Sequence, residues 1–389
     1  MSRELFSRNA DLKRLRDEGY YVEVVGGLLL MRHVPYLDAS GTVRRGTIIS
    51  SLTLAGDLTQ RPDTHVVHFA GAYPCQANCS PIEQIRHQSG SYDLGCGVVA
   101  QHSFSSKPVE GYRDYHHKMT TYAAILSGPA ALVEDGVSAR VFREPEEEED
   151  SVFHYTETAS NRVGIGALAE RLSAERVAII GLGGTGSYVL DLVAKTPVRE
   201  IHLFDGDVLL QHNAFRAPGA VTLDTLREAP KKVAYFASIY GAMRKGIVAH
   251  DHFLDEGNAD TLENITFAFV CMDAGAAKRA VVERLESIGA SFLDVGMGLE
   301  LDEGTLGGIL RVTASTPERR DHFRANVSLD ESDGGDVYAS NIQVADLNAL
   351  NAVLAVVKWK KLRGFYRDLE GEHHMTYTTD GNLLLSSAA

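Results

Sequence analysis

The spacing of apolar and polar positions changes character along the chain. In the first 145 residues it is short-range and alternating, which predicts strands joined by turns. Ala10–Gly19 reads as a short helix ended by glycine. Tyr21–Val25, Gly27–His33, Gly46–Leu54, His65–Phe69 and Cys96–Phe104 read as strands, and Tyr112–Leu126 carries helical spacing. The expectation is an α+β domain with a mostly antiparallel sheet.

After about residue 154 the pattern becomes strand, turn, helix. Val177–Ile180 are β-branched or small and wholly apolar, as suits a strand buried on both faces. Tyr188–Lys195 follows with helical periodicity, then a second strand, Ile201–Phe204. The apolar stretch ending at Asp273 predicts another strand, and Phe292–Leu299 and Gly307–Val312 predict two more. Ile342–Lys361 is a long apolar-periodic helix ending near Gly364, and residues 367–389 read as a polar tail with a short strand at Asn382–Leu385. Between the halves, Glu144–Asp150 (EPEEEED) is a run of like charge that repels itself and marks a solvated linker. The division expected is therefore 1–145, a linker at 146–153, an α/β domain at 154–366 and a tail at 367–389.

Composition narrows the function. A formal charge of −14 over 389 residues argues against general nucleic-acid binding. No apolar run approaches the ~18 residues of a membrane span. The charged first segment, MSRELFSRNADLKRL, lacks the apolar core of a signal peptide. With four cysteines, these features suit free thiols in a reducing cytoplasm.

The chemistry concentrates after the first buried strand. Gly181, Gly183, Gly184 and Gly186 crowd one turn, followed by Ser187 and a helix. Such glycines let the backbone come close to a phosphate, and the helix start offers N–H groups to an anion. Asp205 closes the second strand, 19 residues after Gly186, where a carboxylate commonly accepts from ribose hydroxyls. A glycine turn alone would suit a dinucleotide enzyme. Asp207, Asn213, Arg216, Lys231, Lys232 and Asp273 instead suit a triphosphate and a metal.

This ordered set resembles the ThiF/MoeB/E1 superfamily of adenylating enzymes, which activate ubiquitin-like and sulfur-carrier proteins with ATP. The family's G-x-G-G-x-G-S, D-x-D, N-x-x-R, Lys and strand-closing Asp are met by Gly181–Ser187, Asp205 and Asp207, Asn213 and Arg216, Lys232, and Asp273. The resemblance implies a Rossmann-like domain with a mixed, mainly parallel sheet. It also implies adenylation of the C-terminal carboxylate of a ubiquitin-like protein in a bacterial-type conjugation pathway. ATP would be held by the glycines, Ser187, Asp205, Asp207, Asn213, Arg216 and Lys232, with Mg²⁺ on Asp273. Arg216, Lys232 and Asp273 would carry catalysis, joined by Arg162 reaching across a homodimer to the partner's phosphates; Lys231 competes for the lysine role. The order of helix and sheet in residues 1–145 suits an E2-like or partner-binding domain.

Departures keep other readings open. Ala274 stands where relatives often have Asn, and Thr313–Asn341, where E1 enzymes often hold a thioester-forming cysteine, has none. Ser328, Ser332 or Ser340 could accept an acyl group only as an oxyester, and loop serines are the plainer reading. Sulfur-carrier, peptide or tRNA-base activation, a non-catalytic adaptor and an NAD-linked oxidoreductase are the alternatives. Cys75 and Cys79, with Cys96, His68, His87 or His102, offer one incomplete zinc pattern, but small buried side chains around a turn are favoured. Cys271 is expected in the core of its strand.

Overall fold

A computed structural model of the chain describes residues 2–142, 151–155, 166–329 and 342–387. The chain divides into two compact units, Met1–Glu170 and Arg171–Ala389.

The first unit is built on a six-stranded antiparallel sheet in the order β1-β2-β3-β6-β8-β7, formed by Tyr21–Val25 (β1), Leu28–Leu37 (β2), Val43–Ser51 (β3), Val66–Ala70 (β6), Arg86–Asp93 (β7) and Val99–Ser105 (β8). Leu54–Ala55 (β4) and Leu58–Thr59 (β5) form a small separate hairpin. Helices Ser2–Arg8 (α1), Ala10–Asp17 (α2) and Tyr115–Val133 (α3) complete the unit. Leu12, Leu15, Met31, Ile48, Phe69, Phe104, Met119 and Tyr122 make one core. Asp114 starts α3 by accepting from the His117 N–H at 2.7 Å.

Two elements differ from expectation for physical reasons. Strand β2 runs to Leu37 rather than His33 because a bulge between Met31 and Val34, with His33 at φ 60°, absorbs an extra residue. Strand β7 was not expected: its sequence RHQSGSYD is polar and almost wholly exposed, so an edge strand carries no apolar alternation. The cysteines also differ from the expected buried set. Cys75 is buried, but Cys79 and Cys96 are exposed, at φ 64° and 52°. Among the described residues no group of three or more His, Cys, Asp or Glu is placed to hold a metal.

The second unit is an eight-stranded sheet in the order β11-β10-β9-β12-β13-β14-β15-β16. Arg176–Ile180 (β9), Glu200–Phe204 (β10), Ile247–His250 (β11), Phe267–Val270 (β12) and Ser291–Asp302 (β13) are parallel to one another. Thr305–Ser315 (β14), His374–Thr378 (β15) and Leu383–Ser387 (β16) add antiparallel strands. Helices Gly184–Ala194 (α4), Lys232–Gly241 (α5), Ala276–Ser287 (α6) and Ala345–Leu362 (α7) cover it. The period of two in β9 divides the interior. Val177 and Ile179 pack with Val189, Phe236 and Trp359 from α4, α5 and α7, while Ala178 and Ile180 pack with Val281 from α6 and with Phe323. The sheet is therefore covered on both faces, as its parallel centre requires.

Residues 367–389 were expected as a polar tail with one short strand. They instead return as two strands, β15 lying against β14 and β16 at the sheet edge. The strand expected at Asn382–Leu385 is β16, whereas β15 was not expected, since only Met375 of its HMTYT is buried. Glu144–Asp150, Arg162, Ser332 and Ser340 lie outside the described residues, and Gly166–Glu170 is helical.

Candidate functional site

The turn between β9 and α4 is shaped by what its glycines leave out. Gly181 has φ +90°, and a Cβ there would collide with the Cys271 carbonyl beyond β12; at Gly186 it would collide with the Gly181 carbonyl. Only glycine lets the helix start sit this close to the strand ends. Gly183, which precedes α4 in extended conformation, faces open space instead. The free N–H groups at the start of α4 therefore have room for an anion. Ser187 is fully buried and donates to the Gly184 carbonyl at 2.8 Å.

Asp205 joins this turn to the next strand. It is buried at the end of β10, where Oδ2 accepts from the Leu182 N–H at 2.7 Å and Oδ1 from the Asp207 N–H at 2.8 Å. Lys232, also buried at the start of α5, reaches Asp205 at 3.3 Å and Asp207 at 2.8 Å. Its neighbour Lys231 points elsewhere, to the Gly206 carbonyl at 2.7 Å and Asp251 at 2.9 Å. Asn213 is buried and accepts from the Leu210 N–H at 2.9 Å.

Arg216 is half-buried, and its Nε finds no partner among the described residues. Burial pulls its guanidinium below the ordinary arginine value, while the Asp273 carboxylate acts to raise it. The two residues thus share one electrostatic environment. Asp273 itself is exposed in the loop after β12.

A cleft of about 230 Å³ opens between the glycine turn, the loop after β12 and the middle of β13. Gly183, Gly184, Gly186, Asp273, Lys278, Gly296, Arg311 and Asn351 are among the residues that border it. Of the residues expected from the sequence, Gly183, Gly184, Gly186 and Asp273 meet here. Gly181, Ser187, Asp205, Asp207, Asn213, Arg216 and Lys232 do not line this cleft. Cys271, expected in the core of its strand, instead lies one residue past β12, is partly exposed and borders the cleft, and burial raises its thiol pKa.

Several residues of the cleft carry no motif. Lys278 and Arg311 both hold Asp294, which is fully buried on β13. Burial raises the pKa of Asp294, and the two cations act against that rise. Asn348 packs where a Gly184 side chain would go and accepts from the Thr185 hydroxyl at 3.0 Å. Asn348 and Asn351 are both buried on α7. A carboxylate inside the apolar run SFLDVGM and two asparagines on an apolar helix face were the available signals, since polar groups are buried only with a reason.

The arrangement is that of a Rossmann-like nucleotide-binding fold with an anion-accepting turn. Residues 158–361 match the ThiF family, and the chain belongs to it. Residues 10–158 match a domain of unknown function (DUF6791). No curated protein matches the sequence. Among solved structures, Escherichia coli MccB with ATP is similar over 59% of this chain and 70% of that one, at 15% identity and a TM-score of 0.46. The same protein with succinimide has the same identity and coverage with a TM-score of 0.45. Selenomethionine PaaA covers 57% of this chain and 74% of its own, at 15% identity and a TM-score of 0.40.

Proposed function

We propose that this ThiF-family chain is an E1-like adenylyltransferase that uses ATP and Mg²⁺ to activate the C-terminal carboxylate of a ubiquitin-like protein. The observation that carries this reading is the juxtaposition of the open N–H groups after Gly183 with Asp273 across one cleft, in the field of the half-buried Arg216.

An oxygen of the substrate carboxylate attacks the α-phosphorus of ATP. The new C–O–P linkage forms as the bond to the bridging oxygen of pyrophosphate breaks. No general base is needed, because a C-terminal carboxyl is ionised well above its pKa of about 3.5. The chain's task is to bring two anions together and stabilise the departing charge. The turn N–H groups and Arg216 supply positive character. Asp205 holds the ribose, and the Lys232 ammonium, presented by Asp205 and Asp207, turns to the phosphates. A lone exposed carboxylate suits Mg²⁺, which commonly takes one or two protein carboxylates beside phosphate oxygens and water. Held by Asp273, the ion would neutralise charge on the leaving pyrophosphate.

Pyrophosphate exchange into ATP, driven by a small protein with a free carboxylate tail, tests the assignment. Arg216→Ala, Lys232→Ala and Asp273→Ala should each lose two orders of magnitude or more, given ~10²–10³ for one electrostatic group. Wild-type rates in all three would defeat it.

The same reading includes a twofold homodimer, a cytoplasmic setting and a partner-binding, E2-like role for the first unit. The lack of cysteine in Thr313–Asn341 favours a second reading, in which the chemistry ends at the acyl adenylate of a peptide or sulfur carrier.

A further inference from the structure

The start of α4 is held by a residue that lies outside the glycine motif. The first bond of this helix runs from the Ser187 N–H to the Gly183 carbonyl at 3.1 Å. The N–H groups of Gly184, Thr185 and Gly186 precede it and have no partner within the helix. These are the groups that the nucleotide assignment offers to phosphate, and all three residues border the cleft. Both hydroxyls of the turn donate elsewhere. Ser187 gives its proton to the Gly184 carbonyl at 2.8 Å, and Thr185 gives its proton to Asn348 Oδ1 at 3.0 Å. A threonine left to itself in the first turn of a helix competes for neighbouring backbone groups. Bonded to Asn348, Thr185 is turned away from them, and the three N–H groups stay open to an anion.

Asn348 is fully buried on α7. Its Nδ2 donates to the Val344 carbonyl at 3.0 Å, which fixes the amide's orientation and leaves Oδ1 facing Thr185. The amide fills the space in which a side chain on Gly184 would stand, so the glycine and the asparagine are complementary in shape. An apolar residue could fill that space as well, but only an acceptor holds the hydroxyl. The helix behind it is anchored independently. One turn on, Asn351 Nδ2 donates to the Gly296 carbonyl on β13 at 3.1 Å, and further along Lys358 pairs with Asp368 at 3.0 Å. Helix α7 therefore ties the phosphate turn to the β13 wall of the cleft.

We propose that Asn348 is a positioning residue for adenylation: through Thr185 it fixes the first turn of α4, so that the N–H groups of Gly184, Thr185 and Gly186 converge on the phosphates. It touches no reacting atom itself. This rests on the nucleotide-binding half of the reading above and adds to it a support that comes from 163 residues further along the chain. Donors held in place beforehand need no reorganisation when charge develops on the leaving phosphates, and a buried amide behind them supplies that rigidity.

The test uses the full chain with Mg²⁺ and α,β-methylene-ATP, a non-hydrolysable analogue whose affinity calorimetry reads. Thr185→Val keeps the shape of the side chain and removes its hydroxyl. It should weaken the analogue about tenfold, the scale of one buried hydrogen bond. Thr185→Ser keeps the hydroxyl and should bind close to wild type. Asn348→Ala should lose as much as Thr185→Val, and the double variant little more than either, because the two residues act as one unit. Adenosine, read as a competitor of the analogue, brings no phosphate, so its affinity should not move in any variant. Wild-type affinity in Thr185→Val overturns the inference. Equal losses in Thr185→Ser and Thr185→Val do the same, as do losses that multiply in the double variant. A parallel fall for adenosine also overturns it, since that marks a general loosening of the domain. Thr185→Val decides the matter even where Asn348→Ala does not fold. If wild type does not bind the analogue, the nucleotide reading fails and this one with it. If wild type binds and Thr185→Val binds as well, only this inference fails.

Discussion

Lys118 in the first unit and Lys278 in the second are equally deep, at 0% and 3% exposed, but their surroundings differ in kind. Lys118 points from α3 into the core and donates to the Ser50 hydroxyl at 2.9 Å. Burial lowers its pKa to about 7, with Asp63 opposing through its field. Lys278 instead bonds to a carboxylate that is itself buried and shared with Arg311. A buried ammonium met by a hydroxyl is a proton-dependent cost to the fold. One met by a buried carboxylate is held in a fixed geometry, which a binding site can use.

Three measurements sharpen this contrast, taken from the largest effect down. Lys278→Met removes one cation from Asp294 and should destabilise the second unit by about 3–5 kcal/mol, the usual cost of breaking a buried pair. Denaturant titration reads this, and an unchanged midpoint would contradict it.

Lys118→Met should act oppositely, stabilising the first unit by about 2 kcal/mol at pH 6, since a neutral side chain replaces a desolvated charge. The sign with pH follows from proton binding. In the unfolded chain the amine titrates near ~10.4, and in the folded chain near about 7, so between those values the unfolded state holds more protons. Wild-type stability should therefore rise with pH across that window, and below about pH 7 the full cost stands. The advantage of Lys118→Met should shrink as pH goes from 6 to 10. A pH-independent advantage would mean that packing, rather than charge, drives it.

His250 gives the smallest effect. It stacks on Phe204 at a centroid distance of 4.2 Å, and burial, with His202 and His252, lowers its pKa to about 4. Between about pH 6.5 and 4 the unfolded state binds the extra proton, so stability falls as pH falls through that window. Because the ring is partly exposed, His250→Phe should remove less than about 1 kcal/mol of this acid sensitivity. Thermal melts at pH 4.5 and 7 would show it.

The legible parts of the sequence were those whose signal is local. Val177–Ile180 are apolar without interruption because both faces of β9 are covered, and Gly181 and Gly186 are glycine because backbone atoms fill the space of a side chain. Strand β7 escaped because an edge strand exposed to water needs no apolar alternation, and β15 because only Met375 of its five residues is buried. The spacing placed Asp205 and Lys232 in the motif, but not their pairing with each other across β10 and α5. It placed Lys231 and Lys232 side by side, and only their different directions separate the Asp251 pair from the Asp205–Asp207 pair.

What the sequence alone determined is the strand–glycine turn–helix unit, because it depends on neighbours within a few residues of each other, and ThiF membership, because the motif residues from Gly181 to Asp273 keep their order along the chain. The tertiary structure decided the cleft floor. Lys278, Asp294, Arg311 and Asn351 come from four separate elements, and nothing in their spacing brings them together. They meet because β14 turns back along β13 and α7 packs against it, setting a guanidinium and an amide over Gly296, which has no side chain to keep them apart.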